Sequence, residues 1–548
     1  MNKKKLAYDA VYETLVKKIV WLPPLLFAII PTLAVYTHNI NFLSIDRVAV
    51  PLLYSVIFMV ISSCVSYVIF REQERASIFT SAWLILFFSY GYIYLAFGDS
   101  QLGKVLLSLN VVLFALYGFF LLLLTKFLFS KKGSFRKLVF FLAIVALIST
   151  GFSLFTIIPS EINRFVGGKK LEHYVSQNLG SITNSGDRLV VKPDIYYIIF
   201  DRYAREDVLK KYFNFQNNDH INYLKAHGFW VGERSYANYP NTFLSLSSSL
   251  NMTYLDFLTY TLGKKQDDQV NVYRQLLQEN QLSRFLKGQG YRFVMLGSSW
   301  DAFKQSKNAD ENDNLFNEFD EFSLFIYERT FLNTLRGVIE NKQLYVGTER
   351  FNKISDNLEH RLNVIYRQRE VSEPVFVFVH FLLPHPPNVF SPKCVPYTLS
   401  ESSQQVPEKG YLRELQCANV VMKSLVSEIQ SSGRASVIIF QSDEGPYLPL
   451  KYFNGDGESV PESFDSYFIH GAILNAVYMP DKADPFKPAD YSDLSFRPNT
   501  SPVNVVRLIL NYYFGTNLQI LPDKTFFPKD ENHVYDFKEV TDYYKGKN

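Results

Sequence analysis

Five long apolar runs fall within the first 158 residues, and no other feature limits the possible folds of this chain so strongly. They cover approximately 18–37, 49–70, 78–97, 105–129 and 137–158. Each is near the ~20 residues that a helix needs to cross a hydrocarbon core. More runs follow the first, and no small-residue cleavage site does, so a cleaved signal peptide is not expected. Basic residues set the orientation. Lys3, Lys4, Lys5, Lys17 and Lys18 precede the first run, Arg71 and Arg75 follow the second, and Lys131, Lys132, Arg136 and Lys137 follow the fourth. The other two connections hold only Arg47 and Lys104. The positive-inside rule then places the N-terminus in the cytoplasm and, with five crossings, everything after residue 158 outside. No charge interrupts the middle of any run, so an anchor is expected rather than an ion or proton pathway.

Beyond the anchor, residues 159–191 are polar and mixed, a juxtamembrane linker with helical character around 161–178. From 192 to 548 the pattern changes. "DIYYIIFD" (194–201), "YRFVMLG" (291–297), "VFVFVHFLLPH" (375–385), "SVIIFQSDEG" (436–445) and "AILNAVYMP" (472–480) are short, nearly continuous apolar runs. Such runs suit strands buried on both faces of a mostly parallel sheet. Helical patterns at 206–227, 268–287 and 411–432 alternate with them, which predicts an α/β domain with helices on both faces. The stretch 499–515 reads as a further helix that closes the domain. A net charge of +3 gives no reason to expect nucleic acid, and three cysteines exclude a disulfide scaffold or a cysteine-rich zinc site.

Ligands of such sheets gather beyond the carboxyl ends of the strands. There the chain places Asp201, then His380 with His385-Pro386-Pro387, then Ser442-Asp443-Glu444-Gly445. Thr242, in "NYPNTFLSLSSSLNM", stands at the mouth of a helix. A helix cap would account for it. A nucleophile would too, because a helix start favours phosphate, and a threonine hydroxyl needs only a metal or base to activate it. Asp201, Asp443 and Glu444 would supply that metal. An oxygen-rich set of this kind favours Mn²⁺ or Mg²⁺, with Zn²⁺ as the alternative if histidine joins. His380, inside an apolar strand, reads as core, and His470 reads as a satisfied structural histidine. Arg202 and Arg205 follow the first acid, either as bidentate phosphate donors or as solvated helix-start residues. Cys394 and Cys417 either pair or stay free thiols, while Cys64 lies in the second apolar run.

In this order the motifs resemble the sulfatase-like branch of the alkaline phosphatase superfamily, and the anchored architecture resembles lipoteichoic acid synthases and lipid A phosphoethanolamine transferases. The resemblance implies that Asp201 is the first metal-binding acid, Thr242 the nucleophile and Asp443 the acid of the late Ser-Asp-His-Gly motif. It further implies that His385 contacts the phosphate or sulfate of the substrate. Two departures stand out. The formylglycine-forming Cys/Ser-x-Pro-Ser-Arg is replaced by Thr242-Phe243-Leu244-Ser245-Leu246, and Glu444 stands in place of histidine. The implied activity is transfer of a phospholipid head group, phosphoglycerol or phosphoethanolamine, onto an envelope glycan or lipid-linked sugar through a phospho-threonine. The implied place is a bacterial cytoplasmic membrane. A membrane-tethered hydrolase and a non-catalytic envelope protein that keeps the fold are the alternatives.

Overall fold

The computed structural model describes residues 19–98, 109–179, 192–298, 300–314, 320–333, 348–397, 406–446, 464–530 and 532–545, together with 182, 335 and 401. It divides into two compact units. The first comprises residues 1–163 and 318–350, the second 164–317 and 351–548.

The first unit holds the apolar helices α1 (Leu22–His38), α2 (Ala49–Phe70), α3 (Gln73–Gly98), α4 (Leu109–Ser130) and α5 (Arg136–Asn178). Four of these, α2 to α5, are long and apolar enough to cross a membrane. The fifth, α1, has 17 residues, about 25 Å of helix against a core of roughly 30 Å. The start of the first expected run, at residue 18, lies outside the described residues. Large apolar side chains such as Phe119, Phe152 and Phe155 face outward, as lipid contact requires. Hydroxyls tie the helices together: Ser77 donates to the Val20 carbonyl and Thr80 to Ser66.

Two boundaries differ from the expectation. The linker is no separate segment as far as residue 178, because α5 runs unbroken through it. Residues 318–350 join the first unit although they interrupt the sequence of the second. The reason is local packing. Phe331 seats its ring among Trp83, Tyr90 and Phe114 at centroid separations of 5.7, 5.4 and 5.1 Å. Gly91 lets the backbone of Arg329 come close enough for an N–H···O bond of 2.9 Å. A Cβ on Gly91 would lie 2.5 Å from the Arg329 Cα.

The second unit is an α/β domain around a seven-stranded sheet. Its strands are β1 (Asp194–Phe200), β2 (Trp230–Val231), β3 (Arg292–Leu296), β4 (Glu311–Asp313), β5 (Val375–Phe381), β6 (Ser436–Gln441) and β7 (Asn475–Tyr478), in the order β2-β7-β6-β1-β5-β3-β4. The sheet is parallel from β6 to β4, whereas β7 runs antiparallel to both of its neighbours. Alternation along β1 explains why the run is apolar throughout. Ile195, Tyr197 and Ile199 enter one core, and Tyr196, Ile198 and Phe200 enter the other. The first core is covered by helices α7 (Thr242–Asn251) and α9 (Pro502–Phe514). The second is covered by α6 (Glu206–Phe213) and α8 (Pro407–Gln430). The helix expected at 206–227 breaks at Asn214, which adopts a left-handed conformation with φ of 51° and ends α6. The C-terminal part of α5 also belongs here: Leu171 and Val175 enter the first core, and Tyr174 stacks on Phe257 at 4.4 Å.

Candidate functional site

β1 lies between β5 and β6, so the three strands bearing the expected acids and imidazoles are adjacent and parallel. Their carboxyl ends meet at the crevice where strand order reverses, the usual ligand position in open α/β sheets. Asp201 directly follows β1 and its N–H donates to the Phe381 carbonyl at 3.0 Å, holding it beside the end of β5. Asp443 follows β6 by two residues and accepts the N–H groups of Arg202 (3.2 Å) and Glu444 (3.0 Å). His380 is the sixth residue of β5. Its neighbours Phe376 and Phe378 point to the first core, and the period of two sends His380 the same way, toward the face that α7 covers.

Asp201, His380 and Asp443 each offer a ligand atom, and these atoms all lie within 4.8 Å of one another. His380 Nε2 is 3.5 Å from Asp201 Oδ2 and 3.8 Å from Asp443 Oδ2. The ring of His380 is held in place by stacking on Phe303, at 4.5 Å and 4°. Its carbonyl accepts from Arg361 Nη2, at 2.9 Å. All three side chains are buried. Among the described residues, Asp201 Oδ1, Asp443 Oδ2 and both His380 ring nitrogens have no hydrogen-bond partner. Buried polar atoms are rarely left so. A divalent cation would satisfy all of them at once, and two carboxylates with one imidazole suit Mn²⁺, Mg²⁺ or Zn²⁺. The donor set therefore fits a metal.

The electrostatics agree. Burial, then the Asp443 charge, raises the Asp201 carboxyl well above the usual range, with Arg202 opposing. Burial also works against the Asp443 carboxylate, yet the nearby His380 imidazole, the Thr242 side chain and the Arg202 backbone N–H favour its charged form and hold Asp443 below that range. One acid thus favours its neutral form and the other its charged form, as expected of two carboxyls that share a small buried space.

The Thr242 side chain stands near enough to Asp443 to favour its carboxylate form. Thr242 is not the helix cap. That place belongs to Asn241, which is extended at φ −122° and ψ 133°, and Thr242 is the first helical residue of α7. The structure thus brings Asp201, Thr242 and Asp443 together and adds His380, which the sequence reading had assigned to the core.

The remaining expected residues are placed differently. Glu444, expected as a further ligand, turns to Arg202, whose Nε donates to Glu444 Oε1 at 2.9 Å. Burial pushes the Glu444 carboxyl up to about 7 although Arg202 opposes it. Arg202 reaches this position through a left-handed backbone, φ 64°, that a non-glycine residue seldom adopts. Arg205 is committed elsewhere. It forms a two-point pair with Asp207 at 2.9 and 2.8 Å and donates to the Ser235 carbonyl at 2.7 Å. His385 lies in the loop after β5, between the cis bonds Leu383–Pro384 and Pro386–Pro387. Burial and then the Arg202 charge lower it to about 3. His470 is buried and lowered to about 3 for the same two reasons.

The loop bearing His385 is fastened to α8. Glu414 accepts the backbone N–H groups of Val389 and Phe390. Cys394 and Cys417 form a disulfide with Cα atoms 4.9 Å apart, which resolves the pairing left open by the sequence.

A family model described as Sulfatase matches residues 193–497. No curated protein sequence matches the chain. Among solved structures, the C-terminal periplasmic domain of EptC from Escherichia coli, in complex with Zn, is 12% identical, covering 65% of this chain and 98% of that one, with a TM-score of 0.39. The corresponding domain of the phosphoethanolamine transferase EptC from Campylobacter jejuni is 13% identical over 60% of this chain and 96% of that one, TM-score 0.36. The integral membrane lipooligosaccharide phosphoethanolamine transferase A from Neisseria meningitidis is 10% identical over 90% of this chain and 95% of that one, TM-score 0.34.

Proposed function

Because the chain belongs to the sulfatase family, we propose that it is a membrane-bound, metal-dependent phosphotransferase with Thr242 as nucleophile. One observation carries the reading: the Thr242 side chain stands close to Asp443 and favours its carboxylate form, beside buried, unpartnered atoms of Asp201, His380 and Asp443. The donor would be a phospholipid with a phosphoethanolamine or phosphoglycerol head group. The acceptor would be a hydroxyl on an envelope glycan or lipid-linked sugar. In this reading the apolar helices lie in a bacterial cytoplasmic membrane, with the N-terminus inside and the α/β domain outside, so that the site stays near its lipid donor.

Asp201, His380 and Asp443 would hold the cation, Mn²⁺ or Mg²⁺, or Zn²⁺ now that an imidazole stands among the ligands. When bound, it supplies positive charge beside the reacting oxygen and so favours the deprotonated hydroxyl. Asp443, kept in its charged form, would accept the Thr242 proton and leave the lone pairs of the oxygen free for attack. In the first half of the exchange Thr242 Oγ bonds to phosphorus, the bond from phosphorus to the diacylglycerol oxygen breaks, and that oxygen gains a proton. In the second half an acceptor oxygen bonds to the same phosphorus, the Thr242 bond breaks, and threonine regains a proton from the acceptor. The first turn of α7 carries backbone N–H groups without intrahelical acceptors, which suits the phosphoryl oxygens. His385 would contact the same oxygens as a neutral donor. Arg202 would hold Glu444 and, through its backbone, Asp443.

The test is incubation of the full chain with labelled phosphatidylethanolamine or phosphatidylglycerol, followed by a search for a phospho-adduct on the 235–252 peptide. The adduct is expected on Thr242, and Thr242→Ala abolishes both adduct and turnover. Full turnover in that variant refutes the reading. Label released as free head group, and never found on glycan, replaces transfer with hydrolysis.

A further inference from the structure

A second feature of the catalytic edge plays no part in this chemistry. β2 ends at Val231, opposite Ala476 near the start of β7. β7 in turn starts at Asn475, opposite Gln441 at the end of β6. Residues 232–236 and 468–473 therefore leave the sheet at the same edge as Asp201 and Asp443. The bridges Tyr236↔Ala472 and Ala204↔Ile473 join them to the chain that follows β1. Here an open groove of about 1070 Å³ runs between Arg205, Lys210, Arg234, Tyr236, Phe468 and Tyr544.

The groove is far larger than a single head group needs, and its chemistry is specific. One wall is a rigid stack, with the Arg205 guanidinium 4.5 Å from the Tyr236 ring centre and Tyr544 parallel to Tyr236 at 3.8 Å and 14°. Its acids are already engaged. Asp207 binds Arg205, Glu233 binds Lys225, and Asp523 accepts from the Ser501 N–H and from Asn504. Two cations are less engaged: Lys210 and Arg234 are exposed and make no close ion pair among the described residues, Lys210 acting only through its charge on Glu206. Asn499 and Thr541 also line it, Asn499 donating to Asp523 and Thr541 accepting the Thr525 N–H. Unmatched positive charge calls for an anion. The half-buried edge of the Tyr236–Tyr544 stack, which lines the groove, offers apolar C–H surface to a sugar ring. A lone phosphate would fill only a small part of a groove of this size.

We propose that this groove binds an acidic oligosaccharide, the acceptor of the transfer, an inference that rests on the reading of Thr242 as nucleophile. The test is calorimetric titration of the purified full chain with tri-galacturonate and with maltotriose, an acidic and a neutral sugar of equal length. The acidic sugar is expected to bind about tenfold tighter or more, and Lys210→Gln with Arg234→Gln to remove about tenfold, the combined effect of two rim charges. Both residues are exposed, so this variant is expected to fold, and an unchanged unfolding midpoint verifies that. Equal binding of the two sugars, or unchanged binding by the double variant, overturns the proposal. Competition between tri-galacturonate and glycerophosphoethanolamine also overturns it, because the groove would then be a head-group site. Sugar titration involves no chemistry, so its failure refutes the groove alone. Failure of Thr242 labelling in the wild-type chain refutes the reaction reading alone.

Discussion

Replacing Asp201 by asparagine separates the electrostatics of the site from its shape. Two charged carboxylates whose ligand atoms lie within 4.8 Å repel by about 3.5 kcal/mol at an effective dielectric of about 20. The metal-free protein avoids most of that by keeping Asp201 neutral, which is why its carboxyl is raised by burial and by Asp443. A carboxyl raised in the folded state favours the protonated form. Its contribution to stability is complete below the ordinary carboxylate range and is lost as pH rises through the raised value. Wild-type protein in chelator should therefore be less stabilised by this group at pH 8 than at pH 5. Asp201→Asn, already neutral, should lose less and be at least as stable as wild type at pH 8. Cation reverses the order, because binding requires the carboxylate and so strengthens with pH. At a concentration about 100 times Kd the wild type gains about 2.7 kcal/mol, and the variant should gain almost nothing. The assay is the thermal unfolding midpoint of the full chain in detergent, with chelator or Mn²⁺, at both pH values. Equal stabilisation of the two proteins by Mn²⁺, or a metal-free variant less stable than wild type at pH 8, would refute the argument.

Two further outcomes follow from the surroundings of the site. Phe303→Ala, at a buried ring stacked on His380, should cost about 3–5 kcal/mol. It should also weaken Mn²⁺ binding by calorimetry more than Phe303→Leu does, since only the alanine leaves the imidazole without support. Arg202→Gln leaves Glu444 buried without its cation, a loss of about 3–5 kcal/mol, whereas Arg202→Gln with Glu444→Gln should recover most of it. The recovery should be larger at pH 8 than at pH 6, because the Glu444 carboxyl sits at about 7 and the charge to be relieved grows as pH rises. Chemical denaturation at the two pH values measures both.

Much of the architecture was legible because apolar length and strand pattern are local signals. β1, β5 and β6 lie within the runs that predicted them, and the acids at their ends fall where parallel strands deliver ligands. His380 was misread for a physical reason. In "VFVFVHF" every residue is buried, so a histidine there looks like core until the sheet order places Asp201 and Asp443 beside it. A stronger signal was available, since an imidazole within an otherwise apolar strand is costly without a partner. The turn of Glu444 toward Arg202 depends on a left-handed residue, and sequence marks such positions only when they are glycine or asparagine. The docking of Phe331 among Trp83, Tyr90 and Phe114 joins residues more than 200 positions apart, beyond any periodicity argument. The groove depends on strand reversal at β7 and on the late residue Tyr544, neither of which carries a motif.

The crosslink between Cys394 and Cys417 has a consequence for when the protein matures. The two sulfurs lie 23 residues apart in sequence and bind the loop that carries His385 to the helix behind it. Forming that bond removes two electrons and two protons, so some external oxidant must act on the newly made polypeptide. Reducing surroundings, such as the cytosol in which a chain is synthesised, withhold that step. Completion of the loop is thus a timed chemical event, and before it the Glu414 bonds to Val389 and Phe390 are what fasten the segment beyond His385 to α8.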